Sequence, residues 1–317
     1  MEPIAAVTNS TAVGAIGGRA GAGETSRSMP DDIDMDHLRD WIGKQDRDVD
    51  TITPELLKRF KATFGGYLTP DAPLPPGIHW CLALPAVTRD DLGVDGHPAK
   101  GGFLPPVPLP RRMWASSRMR FHKPPGIGVP IERTSTIADI VLKQSAASGP
   151  LVFVHIDHTF TQETARNNET LIQDRQTIVY RQAAAFKPAQ PESLQPQNSA
   201  RLLDITPDST LLFRYSAMTF NGHRIHYDQH YTTSEEGYPG LVVQGPLMAT
   251  LLMNLAQSSR PHEPLREFEF RGVAPAFVDQ ALQLSVVGGE ARSLEARNHR
   301  GALIMTASAG FGDDDQR

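Results

Sequence analysis

Apolar residues in the first half of the chain are spaced as in helices. The segment Asp36 to Ile42 fits a short helix. Thr53 followed by Pro54 fits the start of a second helix, because threonine caps helix N-termini and proline suits the first helical position. A third apolar segment, residues 77–84, predicts a buried helix. A long loop is expected after it, over residues 88–112.

Alternating apolar and polar residues predict three strands after this loop. They run from Ile131 to Leu142, from Leu151 to Phe160 and from Leu171 to Tyr180. In the second strand Val152, Val154 and Ile156 alternate with the residues between them, which is typical of an antiparallel sheet with one buried face. Helices followed by consecutive strands predict an α+β unit.

The second half of the chain shows a similar order of elements. Residues 210–217 predict a strand, and residues 245–256 predict an apolar helix with leucines at helical spacing. Three further strands are expected, over residues 265–271, 282–288 and 302–309. Each half is therefore predicted to contain one long apolar helix and about three antiparallel strands, with the sheet wrapped around the helix.

Two stretches lack the apolar residues that a core requires. Residues 1–35 are rich in alanine, glycine, serine and threonine and are predicted to form a flexible tail. Residues 183–205 include a polar, proline-rich stretch and are predicted to form a linker. The remaining chain divides into two domains of similar size, residues 36–182 and 206–317.

The composition fits a globular protein and excludes several classes. The 317 residues, 39% of them hydrophobic, allow two ordinary domains, and the net charge of −5 argues against a nucleic-acid partner. No apolar run reaches the roughly 18 residues of a membrane-spanning helix. The single cysteine, Cys81, excludes an intrachain disulfide and a cysteine metal cluster. The first residues lack the pattern of a secretory signal, and a cytoplasmic location is predicted. A mitochondrial presequence is the alternative, because Arg19 and Arg27 lie among serines and alanines, although Glu2, Glu24 and the glycines argue against it.

A histidine-rich segment, residues 219–231, has the clearest chemical pattern. Asn221, His223, His226 and Asp228 follow one another closely in it. Histidine takes up and releases protons near neutral pH, so these residues predict a general acid–base site. His223 and His226 also have the spacing of metal ligands, but no second cluster supports a metal, and none is predicted. A solvated loop with hydrogen-bonded histidines is the remaining alternative.

A glycine-rich stretch leads from this segment to the start of the apolar helix. Free backbone amides at a helix N-terminus, together with the helix dipole, suit an oxygen that gains negative charge. Gly245 can offer its N–H without a side chain in the way, whereas Pro246 has no N–H. An ordinary turn before a proline-started helix is the alternative, but the nearby histidines favour a site that polarises a carbonyl group.

Residues 220–256 resemble the MaoC-like hydratase/dehydratase family, which has the hot-dog fold. The family pattern G-D-x-N-P-apolar-H is similar to Phe220-Asn-Gly-His-Arg-Ile-His, and the family's H-G-x-L helix start is similar to Gln244-Gly-Pro-Leu. His226 takes the position of the family's catalytic histidine, and Asn221 takes that of its catalytic aspartate. The variant is similar to a subgroup, the 3-hydroxyacyl-thioester dehydratases type 2 and the itaconyl-CoA or mesaconyl-C4-CoA hydratases. The stretch that begins at Phe103 also resembles this subgroup.

The resemblance implies an α+β double hot dog that adds or removes water across the 2,3 double bond of an acyl-CoA. His226 is the implied acid/base, Asn221 would hold water or the thioester oxygen, and His223 or Asp228 would be the second proton-handling group. The implied substrate-binding residues are Gly245, which would donate its amide to the thioester carbonyl, Arg224, Tyr227 and Gln244. No metal or organic cofactor is implied, because the CoA thioester is the substrate.

The substrate implied by the resemblance is a short dicarboxylic enoyl-CoA, such as itaconyl-CoA or mesaconyl-C4-CoA, with a role in itaconate degradation. Arg224 is a candidate anchor for its free carboxylate. Alternatives are a 3-hydroxyacyl-thioester dehydratase of fatty-acid metabolism and a noncatalytic CoA-binding hot-dog subunit. A hot-dog thioesterase is disfavoured, because Gln244 and Asn221 stand where an acidic group would be needed. A homodimer is a possible assembly.

Overall fold

The computed structural model describes residues 33–145, 148–164, 167–189, 199–287 and 293–312. The chain from Asp34 onward forms one compact unit. The predicted flexible tail, residues 1–35, lies almost wholly outside the described residues. None of the helices in the described ranges is long and apolar enough to cross a membrane.

The described residues contain four α-helices and ten strands. The first half holds α1 (Met35–Arg39), β1 (Gln45–Thr51), α2 (Pro54–Phe64), β2 (Arg111–Phe121), β3 (Pro130–Ser145), β4 (Gly149–Glu163) and β5 (Asn168–Arg181). The second half holds β6 (Ser199–Ile205), α3 (Ser209–Met218), α4 (Gly245–Ser259), β7 (Leu265–Gly272), β8 (Leu282–Val287), β9 (Ser293–Asn298) and β10 (Leu303–Phe311).

All ten strands belong to one antiparallel sheet. Its order is β1-β3-β4-β5-β2-β7-β10-β9-β8-β6. Within each half the order is first, third, fourth, fifth and second strand, so the two halves repeat one topology. They join where β2 pairs with β7, with Ser117 opposite Phe270 and Met119 opposite Phe268. The predicted α+β fold of two antiparallel halves is confirmed.

Helix α4 is the centre of the core. Its residues from Pro246 to Ala256 are all buried, as expected for a helix that is apolar all round. One continuous hydrophobic cluster joins α4 to strands of the second half and to Phe60, Phe64 and Trp80 of the first half. The predicted helix at residues 245–256 is therefore confirmed, and it lies where the sequence pattern places it.

The predicted buried helix at residues 77–84 is wrong. The structure has only a 3-10 turn there, Ile78–Cys81. Gly77 has φ +95° and Ala83 has φ 50°, so both ends of the segment leave the helical region, and Pro85 follows directly. Among its described residues the first half therefore has no long central helix of its own, and the prediction of one such helix in each half is wrong.

The first half packs against α4, the central helix of the second half. The Thr69 N–H donates to the Asn254 side-chain oxygen (3.1 Å), and the Asn254 amide donates to the Pro76 carbonyl (3.1 Å). A methyl group at Gly77 would lie 2.6 Å from the Thr250 hydroxyl. The segment between α2 and the 3-10 turn is thus packed against one face of α4.

The predicted strand at residues 210–217 is also wrong, because this segment is helix α3. The Asp208 carboxylate accepts from the Leu211 N–H (2.7 Å) and caps the helix. Leu212, Tyr215 and Ser216 are buried, which is helical spacing and not strand alternation.

The sequence analysis also missed β1, β2 and β9, and β6 lies inside the predicted linker at 183–205. The strands at residues 131–142, 151–160, 171–180, 265–271, 282–288 and 302–309 and the starts of α1 and α2 are confirmed, with shifted ends.

Candidate active site

The histidine-rich segment connects α3 to α4 through tight turns. The Asn221 N–H donates to the Ser216 carbonyl near the end of α3 (2.9 Å), and the Val242 N–H donates to the Ile225 carbonyl (2.9 Å). Between these contacts Arg224–His226 form a 3-10 turn. The segment is therefore held at both ends, against α3 and against the stretch that leads into α4, close to the N-terminus of the core helix.

His226 is held as a neutral base. Its side chain is buried, and its Nδ1 lies 2.7 Å from the Val242 carbonyl oxygen. A carbonyl oxygen can only accept, so Nδ1 carries the proton and Nε2 is the basic nitrogen. Burial lowers the pKa of His226 to about 4, and the hydrogen bond to Val242 partly opposes this shift. At neutral pH the ring is thus in the form that a general base requires.

Asn221 contacts His223, and His223 lies beside His226. The Asn221 side-chain oxygen accepts from the His223 backbone N–H (3.0 Å), and no acceptor for the Asn221 amide NH₂ lies among the described residues. The buried ring of His223 meets that of His226 edge to face, with 5.4 Å between ring centroids. Burial, then His226 and Arg112, lower the pKa of His223 well below its usual value. The structure therefore brings together three of the four predicted catalytic residues.

Asp228, the fourth, is tied to Arg224. Arg224 Nε and Nη2 both donate to Asp228 Oδ2 (3.0 and 2.8 Å), and Arg224 Nη1 donates to the Val94 carbonyl (3.1 Å). The other carboxylate oxygen accepts from the Tyr231 N–H (3.0 Å). The hydrogen bond from Tyr231 and the neighbouring Arg224 lower the pKa of Asp228. Its carboxylate is thus used to fix the segment, and the Tyr227 hydroxyl does the same by donating to Gly222 (3.0 Å).

The start of α4 offers open backbone donors. Gly245 is the first residue of the helix, and Gln244 forms no side-chain cap there. No acceptor for the Gly245 N–H lies among the described residues, as expected for the first turn of a helix. The Gln244 amide donates instead to the Leu212 carbonyl (2.9 Å) and to Ser216 Oγ (3.0 Å). Gln244 thus ties the helix start to α3 through Leu212 and through Ser216, whose carbonyl also holds Asn221.

A loop from the first half, Gly93–His97, packs onto this segment and was missed by the sequence analysis. The Arg224 N–H donates to the Asp95 carbonyl (2.9 Å). The ring of His97 lies against that of His223, tilted by 40°, with centroids 4.1 Å apart. A methyl group at Gly96 would lie 2.0 Å from the Gly222 carbonyl oxygen, so the two backbones touch at glycines. An Asp–Gly–His triplet in a long loop does not predict which segment of the chain the loop contacts, so the sequence alone could not place these residues at the site.

Asp95 and His97 form a pair within this loop. Asp95 Oδ2 lies 3.2 Å from His97 Nδ1, and Asp95 Oδ1 accepts from the His97 backbone N–H (3.1 Å). Asp95, His97 and His223 each offer one donor atom within 4.8 Å of the others, the spacing of a metal site. The Asp95 carboxylate also contacts His97, and the rings of His97 and His223 lie against each other.

A cleft of about 770 Å³ opens beside this loop. Its charged lining comprises Asp95, Lys100, Arg111, Arg112, Arg224, Glu235 and Glu236. Arg111 forms an ion pair with Glu236, and Arg112 donates to the Pro98 carbonyl (3.0 Å). His226 and Gly245 do not line the cleft, whereas Asp95 and Arg224 do. The cleft thus reaches the Asp95 loop and Arg224, and His226 and Gly245 lie outside its lining.

Solved structures with a similar fold are hot-dog proteins. A MaoC-like dehydratase from Phytophthora capsici superposes with a TM-score of 0.62 at 10% identity, covering 90% of this chain and 100% of that one. HtdX of Mycobacterium tuberculosis gives a TM-score of 0.60 at 16% identity, covering 84% and 99% of the two chains. Another protein of that organism, described as having a double hotdog fold, gives 0.51 at 13% identity, covering 86% and 96%. The class of protein is thus a double hot dog.

Sequence comparison narrows the class. A family model, hydroxyacyl-thioester dehydratase type 2, matches residues 77–278. The mesaconyl-C(4)-CoA hydratase of Chloroflexus aurantiacus is 43% identical over 277 residues, covering 86% of this chain and 97% of that one. The mitochondrial hydroxyacyl-thioester dehydratase type 2 of Schizosaccharomyces pombe is 28% identical over 272 residues, covering 75% and 88%. The chain belongs to the hydroxyacyl-thioester dehydratase type 2 family, one of the MaoC-like hydratases and dehydratases, and it is a hydro-lyase that acts on acyl thioesters.

Proposed function

We propose that the protein hydrates a short dicarboxylic enoyl-CoA, with mesaconyl-C4-CoA and itaconyl-CoA as the candidate substrates. The similarity to the mesaconyl-C(4)-CoA hydratase supports this substrate class. The observation that carries the proposal is the neutral, buried His226, fixed on the Val242 carbonyl three residues before the open N-terminus of α4. The stretch that holds the base thus leads directly into a helix N-terminus that can serve as an oxyanion donor, and addition of water to an α,β-unsaturated thioester requires both groups.

Each site residue receives a role in this proposal. The Gly245 N–H and the α4 dipole polarise the thioester carbonyl and stabilise the enolate that forms. Nε2 of His226 takes a proton from the attacking water, which bonds to the β-carbon, and the imidazolium so formed gives a proton to the α-carbon. The Asn221 amide NH₂ orients that water or the thioester oxygen. Gln244 positions the helix start through Leu212 and Ser216, and Tyr227 fixes the turn at Gly222.

We assign Arg224 to the free carboxylate of the substrate. Three of its five N–H groups are engaged by Asp228 and Val94. The other two have no acceptor among the described residues, and Arg224 lines the cleft. Arg224→Gln should therefore raise the KM for a dicarboxylic enoyl-CoA about tenfold or more, the scale of one charge-assisted pair, with little change for crotonyl-CoA. Asp228→Asn is the control for a loosened turn, because it removes the contact to Arg224 and keeps the Arg224 charge. If Arg224→Gln raised the KM of both substrates equally, this role would be contradicted.

An absorbance assay tests the substrate class. Hydration removes the conjugated double bond of the thioester, so purified protein is compared on mesaconyl-C4-CoA, itaconyl-CoA and crotonyl-CoA. The specificity constant kcat/KM should be higher for at least one dicarboxylic ester than for crotonyl-CoA. A higher kcat/KM for crotonyl-CoA or a longer enoyl-CoA would contradict the dicarboxylic assignment.

The reaction is proposed to proceed without a metal or organic cofactor. Protein dialysed against a chelator should keep its full kcat, because the chemistry is assigned to imidazole and backbone groups. Loss of activity on chelation that added zinc restores would overturn this assignment.

A second candidate function is the dehydration of a 3-hydroxyacyl thioester of fatty-acid synthesis. The family model over residues 77–278 and the fission yeast relative favour it. The same residues would act in the reverse direction, because hydration is reversible. Comparison of straight-chain 3-hydroxyacyl-CoA with the hydrated dicarboxylic esters in the dehydration direction separates the two candidates.

A further inference from the structure

A group of potential metal ligands lies beside His226 and has no part in the proposed hydration. Asp95, His97 and His223 each offer one carboxylate oxygen or ring nitrogen, and these three atoms lie within 4.8 Å of one another. Two imidazoles and one carboxylate are a common ligand set for zinc and other divalent transition metals, which keep a further position for water. The chemistry of the three side chains therefore fits one such ion.

His223 gives an independent indication of a ligand at this place. Its side chain is buried, and neither of its ring nitrogens has a hydrogen-bond partner among the described residues. Buried polar groups are normally paired, either with protein or with a bound species. The donor atom of His223 lies within 4.8 Å of those of Asp95 and His97, so an ion bound between the three residues would give this ring the partner that the protein does not supply.

Asp95 and His97 already have the separation of two zinc ligands. Asp95 Oδ2 lies 3.2 Å from His97 Nδ1, and two ligands bound tetrahedrally at about 2.1 Å from zinc lie about 3.4 Å apart. The donor atom of His223 needs to move by no more than about 1.4 Å to reach the same separation from the other two. Without a metal, one proton between Asp95 and His97 holds these two atoms together.

The backbone around the three side chains is fixed, and the group is open to solvent. The loop Gly93–His97 is held on the catalytic turn by the contact of Gly96 with Gly222 and by the Arg224 N–H, which donates to the Asp95 carbonyl (2.9 Å). The side chains of His97 and Asp95 keep 25% and 18% of their surface exposed, and the cleft of about 770 Å³ reaches Asp95. An ion therefore has a route to the ligands.

The surrounding charges limit how tightly the group can hold an ion. Asp95 is its one carboxylate, and Arg112 Nε lies 3.5 Å from Asp95 Oδ2 without a hydrogen bond to it. Lys100 is a second nearby cation, and its ammonium donates to the Val107 and Leu109 carbonyls. These cations repel a dication, so we expect an exchangeable site that fills with the free metal concentration. Such a site agrees with a hydration that needs no metal.

We propose that Asp95, His97 and His223 bind a divalent transition metal ion of the zinc type, and that the bound ion inhibits the hydratase. The inhibition rests on the proposed function, whereas the metal site does not. The ring of His223 meets that of His226 with centroids 5.4 Å apart, so the ion would lie close to the catalytic base. A positive charge there disfavours the imidazolium that His226 forms in each turnover, and kcat decreases.

Metal titrations of the chelator-dialysed, substrate-free protein test the site without reference to activity. Cobalt(II) is followed by its visible absorption and zinc(II) by calorimetry. Wild type should bind one ion that His97→Gln and Asp95→Asn each bind about tenfold or more weakly, because even the outer partners of metal ligands contribute 10- to 100-fold. The control is His37→Gln, since His37 lies 3.8 Å from Asp40 in the exposed helix α1. Circular dichroism checks that each variant is folded.

The outcomes separate the metal site from the proposed function. If wild type binds no ion, or if either variant leaves the affinity unchanged, the site is refuted and any bound ion is adventitious. Zinc should lower the wild-type kcat, excess chelator should restore it, and His97→Gln should need about tenfold or more zinc for the same fractional loss. Equal zinc sensitivity of these two proteins would refute the inhibition. A wild type that hydrates no enoyl-CoA contradicts the function, while the cobalt spectrum still reports the site.

Discussion

Single hydrogen bonds decide where the protons of the site lie. The carbonyl of Val242 fixes the tautomer of His226, and the backbone N–H of His223 occupies the Asn221 side-chain oxygen. Asp228 is held by Arg224 and by the Tyr231 N–H. The polar residues of the histidine-rich segment thus divide into proton-handling groups and groups that hold the turn.

His226→Gln should lower kcat by about 10²- to 10⁴-fold while the protein stays folded. The pKa of His226 is about 4, so wild-type kcat/KM should fall as the pH drops through this value and the base becomes protonated. Steady-state kinetics and circular dichroism check both points, with the exposed His262→Gln as control. A folded His226→Gln protein with more than about a tenth of the wild-type kcat would contradict the role.

Asn221→Asp should fold, because an aspartate oxygen can accept the same hydrogen bond from His223. The new negative charge should favour protonation of the two neighbouring imidazoles, because an opposite charge stabilises the charged form. The acid limb of the pH profile should therefore move to higher pH. If Asn221 instead donates to the thioester oxygen, the carboxylate would repel the enolate and activity would be abolished. Turnover measured across the pH range distinguishes these two roles of the amide.

At the scale of elements, the site depends on a loop from one half meeting a turn from the other. Gly96 (φ +84°) and Gly222 face each other with no space for a side chain. Gly96→Ala should push the loop off the catalytic turn and lower kcat about tenfold or more, because a small misplacement of catalytic groups is costly. Gly128→Ala is the matched control, because Gly128 also has positive φ (+77°) but an added methyl would meet nothing within 4 Å. Equal activity of the two variants would contradict this account.

A second element-scale feature is a buried polar cluster under the 3-10 turn of the first half. Ser135 Oγ lies 2.7 Å from His158 Nδ1, and Trp80 Nε1 donates to Asp174 (2.9 Å). Burial lowers the pKa of His79 and of His158 to about 3 and raises that of Asp174 to about 6. The two histidines are thus kept neutral in the folded state, and this lowers the free energy of unfolding when the pH falls.

The free energy of unfolding should decrease between pH 7 and pH 5. Below about pH 6.5 the unfolded histidines bind protons that the folded ones do not, which favours the unfolded state. Asp174 has the opposite sign, because its folded form binds the proton more readily, but one carboxyl opposes two histidines. Urea unfolding of His79→Phe should show a smaller loss than wild type, by about 2 kcal/mol at pH 5. A wild type that is more stable at pH 5 than at pH 7 would contradict this prediction.

At the scale of the whole molecule, the two halves share one sheet and one core. The β2–β7 pairing joins them, and Thr69 and Pro76 are hydrogen-bonded to α4 of the other half. We expect one cooperative unfolding transition for residues 34–317, since neither half keeps its buried surface alone. Calorimetry and urea unfolding followed by tryptophan fluorescence and circular dichroism should give coincident curves, and two separated transitions would contradict this expectation.

The boundary at 183–205, the homodimer and the cytoplasmic location stay predictions, and the fission yeast relative is mitochondrial.

The sequence by itself determined the features that depend on local patterns. The alternation at 151–160 and the apolar run at 245–256 predicted a strand and a buried helix, because burial on one face or all round leaves its period in the chain. The resemblance around Asn221 and His226 predicted the family and the catalytic segment, because that motif is short and contiguous.

Only the tertiary structure decided which distant segments meet. The apolar run at 77–84 is not a long helix, because Gly77 and Ala83 have positive φ and Gly77 packs closely against Thr250 of α4. Residues 210–217 form a helix because the Asp208 cap and burial against the core outweigh the strand-like composition. Asp95 and His97 belong to a loop without periodicity, and their place beside His223 follows from two glycine backbones in contact. Such contacts between segments far apart in the chain leave no regular spacing in a single sequence.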